Sequence, residues 1–481
     1  MATTIALSRR VSALRLNWLR LLARVESDPR LVTRALAGVW LVTRGLLFIG
    51  MLAGRNFCDP WFYHYAGEFA AGRLPYRDVP VEYPPVTIAL LLLPALPLLP
   101  FASIAPRPDA AFAPGFTHLP HPDPTRYLAY GVSFACEMLV IDALTLWLVR
   151  RAARRAVPGD PTGLRSGLLY LGLIFLSGAL LQKFDLVIGT LALAAVLAVL
   201  AERDAWGYAC VALATLVKGF PILMLPALVA IQLSRSRRPR LLSAARAQLR
   251  PILNGLGWFA GVIVAWTLAV VIIAGWQPVI HTIGYHAGRA TEIESLYANG
   301  MLALGWLPGL NVWTRFDTAD LSRELVSHYV GVIGPLSDVL LLGLVLVVVA
   351  AVWRAANIAR RVKRRPETTA HLALAATCAL LLAFTITFRA LPAHYVLVVL
   401  PLAAVLRLPQ RRAQVLWMAG IVGVCVVGQV ITNVWSLLVS LTPWGVALLS
   451  LRNIAWILAF AAPTVALWQW RTRTDRSREW E

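Results

Sequence analysis

The sequence is short of acid: 24 Asp and Glu stand against 45 Lys and Arg, and only 14% of its 481 residues carry a charge. A soluble domain spends about a quarter of its residues on charge, so a water-facing surface of this extent is excluded. Cysteine is scarce too, at five. Cys136, Cys210, Cys378 and Cys425 sit inside apolar runs, and Cys58 stands in a loop without a second cysteine nearby. Neither a disulfide framework nor a Cys/His metal site follows, and no metal or other cofactor is expected. The alternation of apolar and polar residues that builds a membrane barrel is missing. No internal repeat is visible, which weighs against a transporter of inverted halves. The net charge of +21 is not interleaved with aromatic residues, so nucleic acid is not a partner. A signal-peptide cleavage pattern is also lacking.

What is abundant is apolar sequence, 59% of the chain, with a mean hydropathy of +0.68. A helix needs roughly 17–25 apolar residues to cross the hydrocarbon, and backbone in lipid must satisfy its own hydrogen bonds. The runs at 35–53, 126–149, 166–181, 186–201, 205–217, 219–233, 252–274, 332–353, 370–388, 394–407, 413–433 and 453–470 predict an all-α, polytopic transmembrane helix bundle of about 12 spans. Several runs are short, which suits tilted pairs hinged at polar turns. Segments 85–104 and 435–451 read as re-entrant or interfacial, because counting either as a span would carry a basic cluster across the membrane.

Arginine clusters at Arg9 to Arg34, Arg150 to Arg165, Arg235 to Arg250, Arg354 to Arg365 and Arg407 to Arg412 fall on one side of such a bundle. Basic excess marks cytoplasmic loops. The organisation that follows is a cytoplasmic amphipathic segment over 1–34, one transmembrane domain over 35–470 and a basic tail over 471–481. A multi-pass protein of the plasma membrane with a cytoplasmic N-terminus is expected, its basic clusters touching anionic lipid. The opposite face then receives the loop 54–85, the long segment 275–330, and most of the eight histidines. Collecting titratable groups on one face is what chemistry requires and anchoring does not.

Loop 54–85 follows the first span directly. Asp59 lies near the start of a short helix, where the dipole favours an ionised carboxylate, and spacing puts Tyr63 on the same helical face. Gly72 ends that helix, and Pro75, Pro80, Pro84 and Pro85 make a stiff return. Read alone, Asp59 is equally a helix cap at a membrane interface. Inside the spans, Asp142 and Glu137 are costly charges, and the structural reading pairs them with Arg44 or has them protonated. Gly257-Trp-Phe-Ala-Gly261 fits a close helix-packing motif.

At these loop residues the chain resembles the C-type (GT-C) membrane glycosyltransferases, nearest to the glycosyltransferase family 87 mannosyltransferases that use polyprenyl-phosphate sugars. Asp59 with Tyr63, Gly72 through Tyr76, and Tyr83 through Pro85 match that pattern in order and spacing. Weaker echoes are the polar turn Gln182 to Asp185, Lys218-Gly219-Phe220-Pro221, and Arg289 followed by Ile293-Glu294-Ser295. Late in the chain, Arg389 and Pro392 to Tyr395 depart from the family's Ser-Pro-Gln-Tyr turn.

The resemblance implies transfer of a sugar, most simply mannose, from a polyprenyl-phosphate donor to a glycolipid or cell-envelope glycan on the non-cytoplasmic face. Asp59 becomes the candidate general base, taking the acceptor proton. Lys218, His286 and Arg289 are the candidates for the donor phosphate. Tyr63, Tyr76, Glu82, Tyr83 and Glu294 are those for sugar or acceptor. A single inverting displacement needs one carboxylate, since phosphate leaves without an acid. The competing readings are a flippase of lipid-linked sugars, which would line a path with its intramembrane charges, and a non-catalytic partner in an envelope-assembly complex.

Overall fold

The computed structural model describes residues 24–55, 57–79, 81–108, 123–236, 241–305, 311–317, 322–361 and 366–470. The expected amphipathic segment over 1–34 and the basic tail over 471–481 fall mostly outside these. Each of the twelve apolar runs is helical. Among the described residues, seven helices are long and apolar enough to cross a membrane: α1 (Pro29–Gly54), α4 (Pro124–Ala156), α9 (Leu241–Ala274), α12 (Val330–Arg361), α13 (Pro366–Thr387), α15 (Arg411–Asn433) and α17 (Pro443–Trp468). The remaining runs form the shorter α5 (Leu164–Ser177), α6 (Leu186–Leu200), α7 (Asp204–Val217), α8 (Leu225–Arg235) and α14 (Val396–Ala403). Short one-turn helices of tighter pitch, Phe220–Met224 and Ala393–Tyr395, lead into α8 and α14.

At 1.5 Å per residue, α4 is about 50 Å long and α6 about 22 Å. Two of the short helices are wrapped by protein, every residue of α14 being buried and most of α6, as is the longer α13. Gly189 of α6 makes this contact close, since a Cβ there would lie 2.6 Å from the Val398 carbonyl oxygen. Gly420 does the same between α15 and α17, where a Cβ would meet the Ala459 nitrogen at 2.6 Å. By contrast α9 turns Trp258, Val264, Ile272 and Ile273 outward, as a lipid-facing helix does. The Gly257–Gly261 motif is not used for packing among the described residues: nothing approaches within 4 Å of either Cβ position. Gly255 makes the close contact instead, against the Tyr208 ring.

The intramembrane charges close on each other. Arg44 Nε and Nη2 each donate to Asp142 at 2.8 Å, and Trp40 Nε1 and the Tyr170 hydroxyl donate to the same carboxylate at 2.6 Å. Glu137 is outside this cluster, so only half of the expected pairing forms. Segment 85–104 is the short helix α3 (Pro85–Leu92) continued by a 3-10 stretch over Leu93–Leu98, too short to span. Segment 435–451 differs from expectation: after the short α16 (Trp435–Val439), residues from Pro443 onward join the last span. Thr442 caps it through the Gly445 N–H, so the helix starts ten residues before the hydrophobic run suggested.

The described parts of segment 275–330 are structured. They hold α10 (Gln277–Gly288), α11 (Leu296–Leu304) and an antiparallel hairpin of β1 (Trp313–Asp317) and β2 (Ser322–Val326). This hairpin is the one departure from all-α among the described residues. Successive helices alternate in direction, so that residues following α1, α5, α7, α13 and α15 meet those preceding α6, α8, α12, α14 and α17. The basic stretches lie at the opposite ends of the same helices.

Candidate active site at one end of the bundle

Where those loops converge there is a cavity of about 750 Å³. Its lining includes charged residues, Asp59, Glu82, Lys183, Lys218, Arg289, Glu292, Glu294 and Arg323, and an apolar group, Ile222, Leu223, Leu341, Phe384 and Phe388.

Asp59 is there because Pro60 starts α2 (Pro60–Ala70), and a carboxylate just before a helix can cap it. Its Oδ1 accepts from the Trp61 N–H at 3.2 Å, and its Oδ2 accepts from Lys183 Nζ at 2.9 Å. Burial raises the carboxyl pKa, but the Lys183 charge and hydrogen bond and the Trp61 N–H outweigh it, leaving it below the ordinary value. Burial likewise disfavours the Lys183 ammonium, and Asp59 more than compensates. The pair is ionised.

Lys218 ends α7 in an extended conformation. Its Nζ is 2.5 Å from Asp185 Oδ1 and lies over the rings of Tyr395 (4.4 Å to the centroid) and Phe184 (5.1 Å). Asp185 is buried behind the wall, with His394 Nε2 3.7 Å from its other oxygen. Arg289 pairs with Glu292 at 2.6 Å and lies over the Tyr285 ring. Burial opposes its charge, but Glu292 raises its pKa overall. Glu294 is held from behind by Arg452 of α17, at 2.6 Å; burial raises its carboxyl, with Arg452 pulling the other way. Burial also pushes Glu82 up, against the opposing charge of Arg289 and hydrogen bonds from Tyr83 and Tyr285.

The segment carrying Arg289, Glu292 and Glu294 is fixed by its backbone. Ile293 N–H donates to the Arg323 carbonyl at 2.9 Å, and Leu325 N–H to that of Thr291 at 2.8 Å, extending the hairpin. Arg389 does not line the cavity. Its carbonyl accepts from the Glu292 N–H at 2.9 Å and its Nη1 donates to the Arg289 carbonyl at 3.1 Å, so it clasps the loop.

Of the residues singled out by sequence, Asp59, Glu82, Tyr83, Lys218, Arg289 and Glu294 come together. Tyr63 and Tyr76 do not. Because Asp59 caps α2 rather than belonging to it, helical spacing does not carry Tyr63 to the same side. Tyr63 is 1% exposed and packs edge-on against Tyr127 and Tyr130. Tyr76, at a positive φ of 70°, spends its hydroxyl on the Tyr83 carbonyl at 2.7 Å. The side chain of His286 lies outside the described residues. Sequence reasoning missed Lys183, Glu292 and Arg323. For Lys183 a signal existed, since the Gln182 to Asp185 turn interrupts two apolar runs.

Among solved structures, the crystal structure of ArnT from Cupriavidus metallidurans bound to undecaprenyl phosphate is similar at 16% identity. It covers 91% of this chain and 77% of that one, with a TM-score of 0.35. No curated protein matches. A family model described as glycosyltransferase family 87 matches residues 82–387, well over half the chain. The match takes in Glu82, Lys183, Lys218, Arg289 and Glu294, while Asp59 lies upstream of it. A multi-pass bundle with its acids and cations gathered around one cavity is thus a glycosyltransferase: the chain belongs to glycosyltransferase family 87.

Proposed function

We propose that the protein transfers a sugar, mannose in the first instance, from a polyprenyl-phosphate carrier to a hydroxyl of a glycolipid or envelope glycan. The reaction takes place on the non-cytoplasmic face. The observation that carries this reading is an ionised carboxylate, Asp59, sharing a cavity with Lys218 and Arg289 and with an apolar wall. Each Asp59 oxygen has one protein donor, and a carboxylate has about four acceptor sites. About two remain, room for an acceptor hydroxyl.

That hydroxyl oxygen attacks the anomeric carbon while its proton passes to Asp59. The bond from the anomeric carbon to the phosphate oxygen breaks, and polyprenyl phosphate leaves with the electron pair. Lys218 and Arg289 balance the charge that develops there. One displacement inverts the anomeric configuration. Lys183 holds Asp59 ionised before the reaction, so proton transfer accompanies attack rather than preceding it. Orientation is supported by the basic stretches at the far ends of the helices, since positive loops stay in the cytoplasm. Because Arg44 and Asp142 are closed on each other, they do not line the path that a flippase of lipid-linked sugars would need.

The test is to reconstitute the protein in lipid with radiolabelled polyprenyl-phosphate mannose and an envelope lipid extract. Labelled glycolipid or glycan is expected. No labelled product from any polyprenyl-phosphate sugar, with folded protein, would overturn the reading.

A further inference from the structure

Charge around the cavity is paired almost throughout. Asp59 takes Lys183, Asp185 takes Lys218, Glu292 takes Arg289 and Glu294 takes Arg452, all within 2.9 Å. Among the described residues, Glu82 is the one acid of the cavity without an ion pair, and Arg323 is the one cation. It lines the same cavity, yet among the described residues its guanidinium meets only the Thr314 hydroxyl, to which Nη1 donates at 3.1 Å. A guanidinium offers five N–H donors, so most of its capacity is unspent. A charge taken partly out of water without a counter-charge is costly unless something supplies one.

The aim of Arg323 is fixed. Its strand, β2, is held on one side by β1 and on the other by Thr291 and Ile293. Neighbouring residues on a strand face opposite ways, and Glu324 is accordingly buried against Arg315 at 3.1 Å.

Two cations of the cavity therefore differ in setting. Lys218 stands between aromatic rings beside Phe220, next to the apolar wall that Leu341 and Phe384 contribute from within α12 and α13. An isoprenoid chain coming from lipid meets that wall first, and its phosphate meets Lys218. Arg323 comes from the hairpin, outside every span. We propose that Arg323 binds an oxyanion, a carboxylate or a phosphate, on the acceptor, so that the acceptor is an acidic or phosphate-bearing sugar. The inference rests on the glycosyltransferase reading of the cavity.

The experiment uses the full-length protein in lipid nanodiscs and three water-soluble probes: methyl glucoside, methyl glucuronide and methyl glucoside 6-phosphate. Calorimetry measures their binding without turnover, and the two anions separate carboxylate from phosphate. A charge-assisted hydrogen bond makes at least one anionic probe bind about tenfold tighter than methyl glucoside or better. Arg323→Gln abolishes that preference, Arg323→Lys restores part of it, and the KM for radiolabelled polyprenyl-phosphate mannose is unchanged in Arg323→Gln. Equal binding of all three probes by the wild type would overturn the proposal. So would a preference that survives Arg323→Gln, or a rise in donor KM with acceptor preference intact. Should no donor support transfer while anion preference still follows Arg323, the glycosyltransferase reading fails and the anion site stands.

Discussion

Asp59→Asn separates charge from shape at the candidate base. Asparagine has nearly the same volume and caps helices as well as aspartate, so the bond to the Trp61 N–H is retained. The variant loses the ability to take a proton, together with the negative charge beside Lys183. Loss of a general base lowers turnover by about 10²–10⁴, roughly 2.7–5.5 kcal/mol of activation free energy. Stability should hardly move. The Asp59 and Lys183 side chains are 27% and 26% exposed, and a pair open to screening contributes about 1 kcal/mol or less.

The companion variants are Lys183→Met and the double change. Lys183→Met keeps the base but removes the cation that lowers its pKa, leaving burial unopposed. The acid limb of its activity profile therefore moves to higher pH, whereas the wild-type limb lies below the ordinary carboxylate range. The double variant stays inactive with stability close to that of the wild type. Initial rates with radiolabelled polyprenyl-phosphate mannose, alongside thermal unfolding, measure all three. A folded Asp59→Asn protein that keeps more than about a tenth of wild-type turnover refutes Asp59 as base.

Cys58 is 4% exposed, so it should resist a membrane-impermeant thiol reagent whichever way its loop faces. Arg77→Cys, at an exposed position, should react in intact cells and Arg155→Cys only after permeabilisation; the reverse order would invert the orientation. Asp142→Ala strands the buried Arg44 cation at a cost of about 3–5 kcal/mol. Arg44→Met with Asp142→Leu should recover most of that in thermal unfolding, and no recovery would mean the pair does more than neutralise itself. Gly420→Val drives a methyl into the Ala459 backbone and should cost about 1–3 kcal/mol. Gly257→Val, with open space around it, should leave the melting temperature unchanged, and equal losses at both would contradict the packing described.

Periodicity and run length placed all twelve principal helical segments, because lipid admits few alternatives to a helix. They did not separate long helices from short ones, since a 15-residue apolar run such as α6 reads the same whether lipid or protein surrounds it. Asp59 was legible as a cap from the Pro60 that follows it. Its partner was not: Lys183 is 124 positions away, and only the meeting of the α1 and α5 ends brings them together. The bridge between Glu292 and Glu324, and the hairpin it joins, were invisible for a similar reason. Their pairing buries Glu292 and Glu324, residue types that sequence patterns assign to the surface. Tyr63 shows the opposite failure, where a correct helix with a wrong frame sent a core tyrosine to the cavity.

Arg452 ties α17 to a loop far from it in sequence. It is fully buried, ten residues into the last helix, and its guanidinium is satisfied by Glu294 and Asn453. An arginine at such depth resists entry into lipid by about 2.5–3.5 kcal/mol. Helix α17 therefore gains a comfortable seat only once the 290s segment has folded and presents its acid. That span depends on a loop some 150 residues earlier in the chain, and chains cut between the two would leave the loop without the cation that anchors it.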